Sequence, residues 1–363
     1  MTWAKALGWR LGRQLLDRST SVSVVDVVGR LGAVSAWPDL TAELAVGARR
    51  AGGRSGDVAR ALVSGELVKA FVFRGATHYL TPRDAGDYLA LRASSKMWEL
   101  SSWVSYYRLA PEDWPRFREY VRNALAEGPL TRIELAAALG RSSRYRHLRS
   151  HVLDGNDTLL KPLTWQGDVG LGPARDGEIT FLRLDAVPSW GGIPDVGEAG
   201  PRVIQAYLRA FGPARAEQVG EWLGPGLGVK RKVIAGWLDG LADRLVTVGI
   251  EGERVLVRRE DLDELEASRA STAIRLLPGR DPWVMGPGTD DPHVVPPARR
   301  EPVSRSANLV VSRGVVAGTW TIRDTSLSVT WFGESGRVPR SALGEECARL
   351  SSFLDRPLEL SVA

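Results

Sequence analysis

Between Arg141 and His151 the chain places Arg141, Arg144, Arg146, His147, Arg149 and His151. Guanidinium groups at that density suit phosphate oxygens, because each presents a fixed fork of donors and keeps its charge at any physiological pH. A second basic run, Lys230-Arg231-Lys232, opens another helical stretch and offers Lys230 and Lys232 as point charges. In Arg74-Gly75-Ala76-Thr77-His78-Tyr79, a guanidinium and an imidazole flank a Gly turn. Each has a plainer structural reading: basic residues coat solvated helix faces, and a histidine on a hairpin commonly satisfies the backbone. Asp290-Asp291-Pro292-His293 could be drawn as metal ligands, but it lies in a stretch rich in Pro and Gly. With four scattered histidines and a lone cysteine, no metal site is expected. No Walker loop occurs and no Gly-rich turn leads from a strand into a helix, so no cofactor is expected either.

Those side chains need elements to carry them. A pattern recurs along the chain: short amphipathic helices, then two β-rich runs joined by a Gly turn. In the first copy, from about Ser23 to Pro82, Val24, Val27, Val28 and Leu31 form an apolar stripe. Helices over Leu40–Ala48 and Val58–Val63 follow, then a hairpin of Leu67–Phe73 and Thr77–Thr81 around Arg74-Gly75. The second copy, Pro111 to Asp185, has a capping box at Thr131–Glu134, a helix end at Gly140 and a basic helix expected over Ser142–Leu153. Strands are expected near Leu159–Trp165 and Glu178–Leu184. The third copy, Pro201 to Arg259, pairs helices Ala216–Leu223 and Lys230–Leu241 with a hairpin turning at Glu251-Gly252. Beyond Ala273 the pattern becomes β: a three-strand meander from Ala307 to Phe332, a helix Ser341–Leu354 and a strand Leu358–Val362. Between them, Pro278–Arg305 reads as a long loop, functional or disordered. The expected fold is α+β, with three tandem winged-helix units (1–110, 111–199, 200–272) and a C-terminal α+β cap (273–363).

At 363 residues the chain can bury several cores, and its 44% hydrophobic and 25% charged content is that of a globular protein. No apolar run approaches the roughly 18 to 20 residues that span a bilayer, so no membrane partner is expected. Residues 1–18 read as a helix and not a signal peptide. A single cysteine, Cys347, excludes an internal disulfide and suits a reducing cytoplasm. The net charge of +5 is unevenly spread. Residues 1–150 hold 23 Lys and Arg against 14 Asp and Glu, whereas the remainder holds 25 against 29. Only six of the 48 basic residues are Lys, a bias that accounts for the choice of Arg but not for the asymmetry. A basic front half points to a polyanion partner.

Three landmarks in order carry a resemblance over essentially the whole chain. They are Arg74–Tyr79, then Leu277-Pro278-Gly279-Arg280-Asp281-Pro282-Trp283 with Gly286, then Val315-Val316-Ala317-Gly318-Thr319-Trp320. With the repeated winged-helix pattern, these resemble the AlkZ/YcaQ family of winged-helix DNA glycosylases. The resemblance implies a monomer that cradles double-stranded DNA in a basic channel and removes alkylated purines. It also implies a site role for Arg74 and His78, although Ala76 stands where the family's Arg-Gly-Thr-x-His segment has Thr, and Thr77 follows. In that family a Gln-x-Gln or Gln-x-Asp pair handles the attacking water after the first helix. Here the paired positions hold Ser35 and Trp37, with Asp39 and Glu43 the nearest carboxylates.

That exchange bears on the chemistry. Alkylation at guanine N7 makes the base a cationic leaving group, so its departure needs no strong acid. A Ser hydroxyl can donate to and accept from water, but Trp offers one indole N–H and no basic group. Its flat face suits stacking, worth roughly 1–3 kcal/mol per base in nucleic-acid examples. The expectation is a glycosylase for bulky N7-alkylguanine adducts, serving self-resistance to a DNA-alkylating antibiotic. Ser35, Trp37 and Asp39 would be catalytic. Arg74, His78, Arg141, Arg144, Arg146, Arg149, Lys230 and Lys232 would hold DNA. The alternatives are a non-catalytic lesion binder or a transcription regulator, the latter expected to dimerise on half-sites. A cytoplasmic protein, nucleoid-associated when bound to DNA, is expected.

Overall fold

A computed structural model describes residues 1–18 and 20–363. It divides into two units, each assembled from separated segments. One comprises residues 1–58, 204–222 and 235–363; the other comprises 59–203 and 223–234.

In the first unit, helix Val24–Leu31 is set by its ends. Ser23 and Asp26 close a reciprocal capping box, and Gly32, at φ 78°, stops the helix. Its stripe of Val24, Val27, Val28 and Leu31 is buried. The two-residue strand Val34–Ser35 and helix Asp39–Gly47 follow. The N-terminal helix Trp3–Arg13 buries Leu7 and Leu11 in a core with Trp283, Val294, Val295 and Val311. A five-stranded sheet forms the C-terminal part, in the order Glu359–Val362, Ser326–Trp331, Val315–Arg323, Asn308–Ser312, Ile274–Leu277. Helix Arg340–Leu354 packs its apolar side, Leu343, Leu350 and Phe353, against Val310, Trp320 and Val329 of this sheet. The expected three-strand meander is therefore the middle of a larger sheet, with Ile274–Leu277 antiparallel on one edge and the last strand parallel on the other. The hairpin of Leu245–Ile250 and Glu253–Arg258 turns at Glu251-Gly252, as its sequence predicts.

The stretch Pro278–Arg305 is not the loop expected. It contains the short helices Pro282–Met285 and Arg300–Ser304, and it buries Trp283, Val284, Val294, Val295 and Val303. Its prolines hide five apolar anchors spaced too irregularly to show a helical or strand period.

In the second unit, Val68–Phe71 and Thr77–Leu80 pair antiparallel, and so do Val169–Arg175 and Glu178–Arg183. The two hairpins share one sheet through Lys69 opposite Leu171, and Leu130–Thr131 lines the far edge beside Glu178–Arg183. Helix Pro82–Ala93 begins with Thr81 capping Asp84 and Pro82 in its first turn. Helix Arg132–Gly140 begins with the capping box of Thr131 and Glu134.

Two expectations fail here. Leu159–Trp165 is not a strand: Lys161–Trp165 is a short helix, with Pro162 in its first turn and Pro162 to Trp165 all buried. A continuously apolar run has no period that separates strand from helix, and the proline decided it. The basic segment is not one helix either. Arg141 caps the C-terminus of helix Arg132–Gly140, a 3-10 turn covers Arg146–Leu148, and only Arg149–Leu153 is α-helical. The Ser142 hydroxyl accepts from the Tyr145 amide at 3.2 Å, the local bond by which Ser competes with helix formation.

Candidate functional site

The segment between the first two helices of the first unit alternates sharply. Val34 and Ala36 are 0% and 3% exposed, Ser35 is half-buried and Trp37 is 63% exposed. Extended backbone sends alternate side chains to opposite faces, so Val34 and Ala36 pin the segment while Ser35 and Trp37 face outward. An indole that exposed is rare, because burying it is worth several kcal/mol.

Helix Asp39–Gly47 starts right after this segment, with Pro38 at its N-cap and no side-chain cap. Asp39 occupies the exposed first turn, where a carboxylate is favoured by the helix dipole. Glu43, one turn on, is turned inward: it is 7% exposed and accepts the Val58 amide at 3.2 Å, which satisfies an orphan donor at the start of helix Asp57–Val63.

The other end of helix Asp39–Gly47 is held by a buried ion pair. Arg49 donates to both oxygens of Asp281, at 2.9 and 2.7 Å, and both side chains are fully buried. The same guanidinium donates to the Ala45 carbonyl at 2.7 Å and to Gln14 at 3.2 Å. Asp281 also accepts the Trp283 amide at 2.8 Å and thereby caps helix Pro282–Met285. The Leu-Pro-x-x-Asp-Pro-Trp landmark is thus a structural clamp. Trp320 of the third landmark joins it by donating to the Leu277 carbonyl at 3.0 Å.

Arg74 and His78 belong to the second unit. Arg74 and Gly75 turn the hairpin in consecutive left-handed conformations, φ 51° and 73°, and the Arg74 side chain stands exposed with no partner among the described residues. The His78 ring packs edge-on against Phe73 at 5.3 Å, and its Nδ1 donates to the Ala76 carbonyl at 3.0 Å. Burial pushes its pKa down to about 4, and the bond to Ala76 opposes this only in part. A neutral ring with Nδ1 as donor leaves Nε2 as an acceptor, so His78 suits hydrogen bonding to a base or water and not pairing with phosphate. Lys161, half-buried with its ammonium 5.6 Å over the Phe71 ring, lies beside this turn, 3.5 Å from where a side chain on Gly75 would start. Burial lowers its pKa. Sequence reasoning missed this cation because Lys161-Pro162 was read as strand.

Of the remaining basic residues, Arg141, Arg146 and Arg149 are exposed and carry no carboxylate partner among the described residues, whereas Arg144 is ion-paired with Asp113. Lys230 and Lys232 are exposed around the start of helix Arg231–Gly240, whose first turn has no acidic residue. Cations there oppose the helix dipole, an arrangement that an anion would relieve. Asp291 and His293 have internal roles. Asp291 accepts from Gln218 and from the His293 amide, both at 3.0 Å, while the His293 ring stacks on Trp3 at 3.8 Å and bonds Glu253 at 2.7 Å. Among the described residues no group of three or more His, Cys, Asp or Glu could hold a metal ion, and no helix is long and apolar enough to cross a membrane.

A family model described as DNA glycosylase AlkZ-like matches residues 28–353. The chain belongs to the AlkZ-like DNA glycosylase family. It is 37% identical over 357 residues, 96% of each chain, to an interstrand DNA cross-link repair glycosylase of Streptomyces sahachiroi. The solved structure of the Streptomyces sahachiroi DNA glycosylase AlkZ superposes with a TM-score of 0.92 at 35% identity, covering all of both chains. The resemblance drawn from the three landmarks and the expected α+β class are both borne out. This member of the AlkZ-like family is an enzyme, a DNA glycosylase acting in repair. Membership removes the non-catalytic lesion binder and the regulator as readings of its activity.

Proposed function

We propose that this AlkZ-like glycosylase hydrolyses the N-glycosidic bond of bulky N7-alkylguanine adducts in double-stranded DNA, protecting its host against a DNA-alkylating antibiotic. The observation that carries this reading is the exposed Trp37 face beside Ser35, where the family pattern has amide or carboxylate side chains. The adducted guanine leaves with the C1′–N9 electron pair, which neutralises its own positive charge. Water adds to C1′ and releases a proton to solvent, leaving an abasic sugar. Ser35 orients that water, Asp39 supplies negative charge to the oxocarbenium-like sugar, and Trp37 stacks on the aromatic part of the adduct.

DNA is held by the unpaired Arg74, Arg141, Arg146 and Arg149 with Lys230 and Lys232. Arg144 would join them by leaving Asp113, and the neutral His78 supports base recognition. The enzyme acts as a monomer in the cytoplasm, with residues 1–110, 111–199 and 200–272 as winged-helix units and 273–363 as the cap. Because the Streptomyces relative is named for interstrand cross-link repair, the same lesion class belongs among the substrates.

The test uses duplexes carrying N7-methylguanine, a bulky intercalating N7-guanine adduct or an interstrand cross-link. Each is incubated with the enzyme or its Trp37→Ala variant, treated with alkali and resolved on a gel. Cleavage of the bulky substrates alone, lost in the variant, is expected. Robust release of N7-methylguanine by the unmodified enzyme would sink the narrow-substrate reading.

A further inference from the structure

A second aromatic surface lies in the unit that carries the basic segment. Helix Ser101–Tyr107 runs beside the stretch Arg146–Leu153. His147 Nε2 is 3.1 Å from the Tyr107 carbonyl, and the His151 ring is 5.0 Å from those of both Tyr106 and Tyr107. Trp103 packs on Tyr107 at 5.1 Å, and Tyr106 meets it edge-on at 4.8 Å. Tyr107 is the buried floor of this cluster, while Tyr106 is 61% exposed and Trp103 and His151 are partly so. Leu100, just before helix Ser101–Tyr107, and Leu153, at the end of Arg149–Leu153, are exposed as well.

The charge around these rings is positive and uncommitted. Arg108 follows Tyr107 and Arg146 precedes His147, whereas the Arg149 side chain runs toward Gly140, 3.4 Å from where a side chain there would start. All three are exposed without a carboxylate partner among the described residues. Asp154, within electrostatic reach of Tyr107, is engaged by the backbone and side-chain amides of Asn156. A contiguous exposed aromatic surface marks an interaction site. An apolar protein partner is poorly matched to a rim of unpaired guanidiniums. A nucleobase linked to phosphates matches both parts, through its π face and its charge.

We propose that Tyr106, with Trp103 and His151, forms a shelf that stacks an unpaired nucleobase, while Arg108 and Arg146 hold the flanking phosphates. The shelf rests on the reading of this enzyme as DNA-binding, but it uses neither Ser35 nor Trp37 and does not depend on which adduct is excised. A base left unpaired on either strand while a lesion is handled is its occupant.

The test is fluorescence anisotropy of the full chain on two duplexes, identical except that one carries a bulged thymine and the other an abasic analogue at the bulge. The protein should bind the thymine bulge about 5- to 150-fold more tightly, the range one stacked base gives. Tyr106→Ala should bind both duplexes equally, and Tyr106→Trp should keep the preference. Equal binding by the unmodified protein, or a preference that survives Tyr106→Ala, would overturn the shelf while leaving DNA binding intact. Binding of neither duplex would instead bring down the DNA-binding reading and the shelf with it. A change in oligomeric state in Tyr106→Ala, with the base preference unchanged, would make the surface a contact between copies and also overturn the proposal.

Discussion

On the proposed reading, Ser35 and Trp37 take the places of a water-handling pair but differ from it in what they can do to water and to rings. If that difference sets the substrate range, it should be reversible. Ser35→Gln with Trp37→Gln is expected to gain release of N7-methylguanine and to lose activity on the intercalating adduct; a double variant with no methylguanine activity would show that the range is set elsewhere. His78 makes a pH prediction. A histidine in the unfolded chain titrates near 6.5 and the folded ring near 4, so between those values only the unfolded chain takes up the proton. Its contribution to stability is therefore complete above pH 6.5 and declines as pH falls toward 4. An imidazole NMR titration with a midpoint near 4, absent in His78→Gln, is the expected observation; a midpoint near 6.5 would remove the acceptor role. At this scale the sequence located candidates but not their state. Nothing in Arg74–Tyr79 announces that the ring is neutral, since its desolvation comes from packing that residue order does not display.

Among the elements, the Arg49–Asp281 pair is the most exacting, because removing one partner strands a fully buried charge. Asp281→Ala should cost about 3–5 kcal/mol and reduce the thermal midpoint sharply, whereas an apolar replacement of both residues should cost much less. Thermal or denaturant unfolding of both variants would tell a buried ion pair from a dispensable one. Elements with their own punctuation were legible: Thr131 with Glu134 and the Glu251-Gly252 turn both predicted the ends found. Where the signal was ambiguous the reading failed. Leu159–Trp165 had no period, Ser142 diverted the basic helix, and the apolar anchors of Pro278–Arg305 were masked by prolines.

For the whole molecule, the excess of positive charge before residue 150 predicts binding governed by counterion release. Replacing Arg141, Arg146 or Arg149 with Ala should each reduce the slope of log affinity against log salt by about 0.9 for every phosphate that the side chain neutralises. Titration of duplex binding at several salt concentrations reads this directly, and an unchanged slope would exclude that residue from the DNA surface. The order of the elements was legible in the chain, but the grouping of residues 1–58 with 204–222 and 235–363 was not. Long-range partners such as Arg49 and Asp281 leave no trace in local pattern. The clamp on helix Asp39–Gly47 also bears on how such an enzyme diverges. Its far end is locked by Arg49 and by Gly47, where even a methyl group would stand 2.3 Å from the Phe353 ring. At its near end, Val34 and Ala36 are held in the core, Ser35 is half-buried, and only the Trp37 side chain stands largely exposed. A substitution at Trp37 should cost stability of only about 0.5 kcal/mol or less, as for other surface positions. If position 37 sets the lesion as proposed, a lineage exchanges one lesion for another at a single codon, without waiting for compensating changes in the scaffold.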